Sequence, residues 1–385
     1  MDIRTKAGRG LIASCIAAAL AASMAACGSD DSSNEASGAV SSSQAAGGSS
    51  VVDQAKTKVE PYVAVDKIGP TKRVGKPIPK DKTIVYVNCG QPACTNMGKA
   101  FKDAAAVLGW KVEEIQALPT PEEVQAAFDE ALRRKPDGIW SAGFGRALYS
   151  RQLDQAQQLK IPIMSVTGNE ETGEGGIAFE PLGPKEAAKA TAVLADKAIA
   201  DMGGEGEAGT VLLGGYPIVK TYTESYENEI KSGCPKCSVK RLDIQPASLG
   251  KDAAQSIANF IRANPKMKSL FFSYDLMGSG LSAAAKGAGV TVPKTYSWAP
   301  DAPGIQALNS GERTASNIMP YNELSWQIAD AFARLFAGGN VSASQPLQNV
   351  LVVSKDFDNV PPTGEPFPSS VADYQSQFKA LWGVK

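Results

Sequence analysis

Histidine is absent from all 385 residues, and this absence limits the chemistry open to the chain more than any motif in it. Imidazole is the commonest general base near neutral pH and the usual zinc ligand, so triad-type catalysis and His-held metal centres are excluded. The reactive side chains that remain are six cysteines: Cys15, Cys27, Cys89, Cys94, Cys234 and Cys237. Cys15 and Cys27 belong to an N-terminal stretch taken up below, which leaves four. Four cysteines allow three pairings; local bonds would join Cys89 to Cys94 around a loop and Cys234 to Cys237 around a turn. Outside the cytoplasm an even set favours disulfides. Two rivals stand beside that reading: Cys234-Pro235-Lys236-Cys237 has the CxxC spacing of redox sites, and all four thiolates together could bind zinc. A redox CxxC normally opens a helix directly after a strand, whereas this one follows a helical stretch and precedes an extended one. Carboxylates are plentiful, but no paired-carboxylate site, phosphate loop or nucleophile elbow stands at the end of an expected strand, and Gly143-Phe144-Gly145 is only a glycine-containing loop.

The elements that would hold these residues repeat one unit. Thr83 to Val87 is a continuous β-branched and aromatic run, the pattern of a strand buried on both faces of a parallel sheet. A loop from Asn88 to Asn96 follows. Met97, Phe101, Ala104 and Leu108 then fall on one side of a helix ending at Gly109, and Val112 and Ile115 begin a second strand. Thr120, Pro121 and Glu123 form a capping box for the next helix. Strands are expected at Asp137–Trp140, Ile161–Val166 and Gly176–Phe179. After Pro184 the order restarts, with strands at Thr210–Leu213, Val239–Ile244, Ser269–Tyr274 and Thr295–Trp298 and helices between them. Two runs of the same β-α order imply an α/β protein of two similar Rossmann-like lobes with parallel sheets. Ligands of such sheets sit beyond the carboxyl ends of the strands, so the loop from Asn88 to Asn96 is expected to form a pocket wall.

The chain ends and the charge bound the setting. Arg4, Lys6 and Arg9 precede an apolar run from Leu11 to Ala22 and then Ser23-Met24-Ala25-Ala26-Cys27, the layout of a secretory leader; the run is too short for a durable membrane span. Small residues before Cys27 resemble the bacterial lipoprotein box, which implies cleavage of residues 1–26 and lipidation of Cys27; Met24 stands where that box more often has Leu. From Gly28 to about Ser50 the chain is Ser, Gly, Ala, Asn and Asp, expected to stay disordered and to reach roughly 25 to 30 Å. Residues 27–82 are therefore expected to be a lipidated tether whose last part, with Pro61, Pro70, Pro77 and Pro79, runs extended along the surface. A formal charge of −1 leaves no nucleic-acid footprint, and the 43% hydrophobic content suffices for real cores.

The order of elements, with the leader, resembles the type I periplasmic binding proteins of ABC transporters, in the ribose-binding-like branch, over about Thr83 to Ser354. The resemblance is carried by Leu108-Gly109-Trp110, Lys135-Pro136-Asp137-Gly138-Ile139, Leu159-Lys160-Ile161-Pro162-Ile163 and Ile261-Arg262-Ala263-Asn264-Pro265. Further on, Phe272-Ser273-Tyr274-Asp275, then Gly304-Ile305-Gln306-Ala307-Leu308 with Ser310-Gly311, and a terminal helix from Tyr374 to Gly383 continue it. It implies lobes of residues 83–179 plus 320–345 and 180–318 plus 346–356, joined by three hinge crossings, with 357–385 as a C-terminal tail and helix. It implies closure on a small molecule and delivery to a membrane permease driven by a separate ATPase, by a monomer attached to the membrane through lipid alone. No cofactor, metal or nucleic acid is called for. The local cysteine pairs also suit it, since a bond between lobes would impede closure.

Sugar binders of that branch grip hydroxyls with charged side chains, and the matching positions here are Thr167-Gly168, the stretch from Lys220 to Tyr222, and Ala299; a late hinge position that often carries Gln is Met319. The charged set is mostly missing. At the strand ends stand Phe144, Tyr216, Tyr222, Tyr274, Trp298, Met319 and Tyr321, with Asn88, Gln91, Thr167, Asn169, Asp275 and Asp301 as polar candidates. Aromatic and thioether groups offer flat, polarizable surface, which points to a ligand with a ring or apolar face and few polar groups. Half of the aromatics could equally be lobe core, and Asp275 a helix N-cap. The function expected is an extracytoplasmic solute-binding lipoprotein of an ABC importer, not an enzyme; the alternative is a ligand-sensing receptor lipoprotein that feeds a membrane signalling partner.

Overall fold

The computed structural model describes residues 50–345, 350–363 and 367–385. It begins with a correction to the expected tether, because Val51–Val59 is a helix, α1. Ser50 caps it by accepting from the Asp53 N–H, and Ala55 and Val59, one turn apart, are buried against the rest of the fold. Lys58 adds ion pairs to Asp196 (3.2 Å) and Glu229 (2.5 Å). Residues 63–82 have no regular helix or strand but are fastened: Trp110 Nε1 donates to the Pro79 carbonyl and Val74 N–H to the Leu381 carbonyl. The leader and Cys27 lie outside the described residues.

The first sheet grows from the opening apolar run. β1 (Thr83–Asn88) is followed by α2 (Pro92–Leu108), β2 (Lys111–Gln116), α3 (Pro121–Arg133), β3 (Gly138–Ala142), α4 (Ser150–Gln158), β4 (Ile163–Val166) and β5 (Ile177–Phe179). All pair in parallel in the order β2-β1-β3-β4-β5. Every residue of β3 and β4 is buried, which explains why their sequences do not alternate. Thr120 caps α3 by accepting from Glu123 N–H as the spacing implied, but the Glu123 carboxylate accepts from Leu118 N–H and not from the Thr120 N–H that a closed capping box would use. α2 starts earlier than its apolar stripe suggested: Pro92 takes the first helical position, where it has no N–H to leave unpaired, so the loop after β1 is only Cys89–Gln91. Gly98 lets this helix lie close on the sheet, since a Cβ there would come within 2.7 Å of the Tyr86 ring. Tyr86 in turn stacks on Trp140 at 3.9 Å.

The second sheet repeats the unit: α5 (Pro184–Met202), β6 (Gly206–Leu213), α6 (Pro217–Gly233), β7 (Cys237–Ile244), α7 (Ala253–Ala263), β8 (Met267–Phe272), α8 (Leu281–Ala288), β9 (Lys294–Trp298), α9 (Ala302–Ser310) and β10 (Ala315–Asn317). The chain then returns to the first lobe as α10 (Tyr321–Phe336), packed on α2, and comes back as β11 (Val352–Ser354), which pairs antiparallel with β10 at the edge of the order β11-β10-β9-β8-β6-β7. The two parallel α/β lobes of a type I periplasmic binding protein are thus present, and the chain passes between them at the ends of β5, β10 and α10.

The C-terminal helix α11 (Tyr374–Trp382) docks on α10. Trp382 stacks on Trp326 at 5.3 Å, and its indole N–H donates to Asp330, which also accepts from Arg334 and Ser344. Trp382→Ala should destabilise the protein by about 3–5 kcal/mol in urea unfolding, and Trp382→Phe, which keeps a ring but leaves Asp330 one donor short, by about 1–3 kcal/mol. Unchanged stability in both would mean that the tail is not part of the folded unit.

Candidate ligand-binding site

The carboxyl ends of both sheets face one cavity of about 250 Å³. From the first lobe come Cys89, Gln91 and Cys94 after β1, Met97 one turn further along α2, Gly143 after β3 and Thr167 after β4, with Tyr321 from the first turn of α10. From the second lobe come Leu213 at the end of β6, Tyr216 and the first turns of α6 (Ile218, Val219, Tyr222), and Pro246 and Leu249 after β7. Ser273, Tyr274 and Leu276 after β8 and Trp298 at the end of β9 complete the wall. No Asp, Glu, Lys or Arg is among the lining residues.

Seven of the thirteen residues proposed from sequence stand in this wall: Gln91, Thr167, Tyr216, Tyr222, Tyr274, Trp298 and Tyr321. The other six stand outside it, each for a physical reason. Asn88 is buried, its amide donating to Glu114 and its carbonyl accepting from Gly90 N–H, so it braces the turn after β1. Phe144 and Met319 are buried in the hydrophobic core. Asp275 is buried in an ion pair with Arg313 Nε at 3.0 Å, and the same guanidinium lies over the Phe272 ring. Asp301 is the N-cap of α9 and accepts from Gly304 N–H. Asn169 sits where the lobes touch: its side-chain oxygen accepts from Thr221 of α6 at 2.7 Å.

The residues not anticipated are mostly aliphatic: Met97, Leu213, Ile218, Val219, Leu249 and Leu276. A usable signal existed, since the first turn of a helix that follows a parallel strand faces the cleft, and Ile218, Val219 and Tyr222 have the i, i+1, i+4 spacing of one face there.

Four cysteines form two disulfides, Cys89–Cys94 and Cys234–Cys237. Among the described residues no group of three or more His, Cys, Asp or Glu could hold a metal ion. The first bond is in the cavity wall and ties the loop after β1 to the first turn of α2. The second joins the end of α6 to the amino end of β7, at the opposite edge of its sheet from the cavity.

The loop after β4 is held from behind. Thr167 (φ 60°) and Asn169 (φ 74°) both adopt the left-handed region, and a Cβ on Gly168 between them would collide with Glu170 and Ser165. Glu180, in the passage from β5 to α5, accepts from the N–H groups of Thr167 (3.1 Å), Gly168 (3.3 Å) and Leu182 (3.2 Å). Burial pushes its carboxyl up to about 8, and burial likewise pushes Glu170, which accepts from Arg146 N–H, up to about 7. On the aromatic side, Tyr222 stacks on Trp298 at 4.2 Å and the Tyr216 hydroxyl meets the Gln91 side chain across the cleft. Burial raises the phenols of Tyr216, Tyr222, Tyr274 and Tyr321, so all four are protonated, uncharged groups at neutral pH.

Two parallel α/β lobes with a cavity between the carboxyl ends of their strands define a two-lobed solute-binding protein. The model of the periplasmic binding protein domain family matches residues 83–340, more than half of the sequence, and the chain belongs to that family. The family is extracytoplasmic and binds substrates without transforming them, so this is a binding protein and not an enzyme. Among solved structures it is similar to AraP, an arabinose-binding protein from Geobacillus stearothermophilus, with 16% identity, a TM-score of 0.58 and coverage of 74% of this chain and 100% of that one. It is similar to a solute-binding protein from Burkholderia graminis solved in complex with D-arabinose, with 15% identity, a TM-score of 0.62 and coverage of 74% and 99%. The XylFII–LytSN complex matches at 18% identity and a TM-score of 0.62, over 72% of this chain and 99% of that one. At these identities the likeness shows the fold. No curated protein matches the sequence. Among the described residues no helix is long and apolar enough to cross a membrane.

Two outcomes follow from the bonds around the cavity. Replacing Cys89 and Cys94 by Ser should weaken binding of the tightest screened ligand several-fold, because the loop must then be ordered on binding. The matching change at Cys234 and Cys237 should leave affinity as it was while lowering stability by up to about 2 kcal/mol. Equal affinity in both double variants would contradict a preorganised wall. The second outcome concerns pH. Glu170 and Glu180 hold protons more tightly folded than unfolded, where their pKa is the ordinary 4.5, so the unfolded chain binds fewer protons and stability falls as pH rises from about 5 to 8. Glu180→Gln should flatten that slope in urea unfolding at pH 5, 6.5 and 8; a slope equal to wild type would show that Glu180 is not neutral when buried.

Proposed function

We propose that this protein is the extracytoplasmic solute-binding lipoprotein of an ABC importer, closing its lobes on one small molecule with a ring or apolar face and handing it to a permease. The observation that carries this reading is the cavity itself: both lobes contribute aromatic side chains to it, and neither contributes a charge. A ligand favours closure only through contacts made with both lobes at once, and a molecule between Gln91, Thr167 and Tyr321 on one side and Tyr216, Tyr274 and Trp298 on the other makes them. Some similar structures are arabinose binders; the uncharged wall here supports a different ligand. The leader and the small residues before Cys27 support cleavage there, lipidation of Cys27 and a monomer held at the outer face of the membrane by lipid alone. In this reading the thirteen residues proposed from sequence divide into wall residues that touch ligand and neighbours that fix the wall.

A receptor role is the second reading, and the fold shared with the XylFII–LytSN complex favours keeping it, since there a similar chain is bound to a second protein. Capture of a permease on the ligand-loaded protein supports import; capture of a membrane sensor protein in its place supports the receptor.

The test is a thermal-shift screen of sugars, amino acids, nucleosides and uncharged ring compounds. A ligand at 100 times its dissociation constant adds about 2.7 kcal/mol to stability, and that compound should be recovered unchanged at one per chain. If free sugars stabilise better than ring compounds, or the ligand is turned over, the reading fails. Cys27→Ala should abolish fatty-acid labelling and release the protein from the membrane; a labelled variant would refute lipidation at Cys27.

A further inference from the structure

The chain between α1 and β1 is fastened to both lobes, and its contacts change sides within a few residues. Up to Val63 it belongs to the second lobe. α1 packs on α5, Lys58 pairs with Asp196 of α5 and Glu229 of α6, and Lys189 of α5 lies over the Tyr62 ring. The Val63 carbonyl then accepts from the Asn359 amide at 2.9 Å. Asn359 also donates to the Val352 carbonyl and accepts from Ser354 N–H, which ties it to β11, the edge strand of the second sheet. From Asp66 onward the contacts are with the first lobe. Gln377 of α11 donates to the Asp66 carbonyl at 3.0 Å and accepts from Ile68 N–H, and Ile68 is buried. The Lys72 carbonyl accepts from Arg334 of α10, and Val74 N–H donates to the Leu381 carbonyl of α11. None of these residues lines the cavity, and both residues 50–82 and α11 lie outside the family match at 83–340.

We infer that residues 60–82 are a strap, a fourth connection between the lobes that limits how far they open. Only Ala64 and Val65 lie between its two fastenings at Val63 and Asp66. Three fully extended residues span at most about 11 Å, so the two fastened points cannot move further apart while both hold. Buried side chains back the hydrogen bonds on each side, Val59 on the second lobe and Ile68 on the first, so opening beyond that reach has to expose apolar surface. A narrower open state in turn needs less ordering on closure. A strap of this kind acts on lobe motion and not on solute chemistry, and it serves an importer and a receptor alike.

The test is small-angle X-ray scattering of the ligand-free mature protein and three variants, each first checked for cooperative unfolding in urea. One variant carries Gly-Ser-Gly-Ser-Gly-Ser between Ala64 and Val65, which keeps every fastening residue and adds up to about 20 Å of reach. The control carries the same insert after Gly75, an exposed position with nothing within 4 Å of a Cβ built there. Gly75 lies between Val74 and Pro79, which are both fastened to the first lobe, so lengthening the chain there leaves the strap as short as before. The third variant combines Ile68→Ala with Gln377→Ala and frees the first-lobe end as far as Lys72. The insert after Ala64 should raise the radius of gyration above both wild type and the control, and the double variant should raise it above wild type. A radius no larger with the insert after Ala64 than with the control overturns the inference, whatever the double variant shows. If the insert after Ala64 does not fold, the double variant decides alone: a larger radius than wild type supports the strap, and an unchanged one overturns it.

Discussion

The constraint on which the site depends is the parallel ladder. Parallel strands need a crossover for each pairing, so the parallel strands of a lobe all end at the same edge, and the residues next in the chain are gathered there without any contact of their own to hold them. Cys89, Thr167, Leu213, Ser273 and Trp298 are far apart in sequence and share one cavity because β1, β4, β6, β8 and β9 deliver them to facing edges. Tyr321 reaches the same place by another route: the chain leaves the second sheet after β10, and the first turn of the returning helix passes the cleft. The wall therefore inherits its rigidity from two sheets and its mobility from the few residues between them.

Charge is handled outside the cavity. Carboxylates near the cleft are occupied by backbone N–H groups or, for Asp275, by Arg313, which leaves tyrosine, tryptophan and aliphatic groups as the surface a ligand meets. Burying a carboxyl without a cation favours its protonated form, so the arrangement that keeps the wall uncharged also stores protons behind it, at Glu170 and Glu180. Glu180 belongs to the first passage between lobes and holds the backbone of Thr167, and through it the angle between lobes and the shape of the wall are physically joined.

Most of the fold was legible in the sequence because buried parallel strands are continuous apolar runs and their helices carry one apolar stripe. The helix at Val51–Val59 was missed although Val51, Val52, Ala55 and Val59 follow a helical period, because the polar tract before it and the prolines after it dominated the composition. At the site, aromatic residues at strand ends were a good guide, with Tyr216, Tyr222, Tyr274, Trp298 and Tyr321 all in the wall. Short polar residues at the same kind of position were not. Asn88, Asp275 and Asp301 stand where a strand gives way to a turn or helix, and there the nearest unpaired backbone N–H or a distant Arg313 takes the side chain. Which of the two occurs depends on register and on partners tens of residues away, and no local pattern encodes either. Phe144 and Met97 exchange their expected roles for a similar reason: one turns into the core after β3, the other faces the cleft from the second turn of α2.

The central claim is that one cavity, walled by both lobes, is where a small molecule draws the lobes together. Small-angle X-ray scattering of the mature protein, with and without a saturating amount of the compound that stabilises it most, measures this directly. The account predicts a smaller radius of gyration in the bound form, with the bound profile matching the structure described and the free profile matching lobes swung apart at the passages after β5, β10 and α10. Identical profiles for free and bound protein, with binding verified in the same samples, would contradict it.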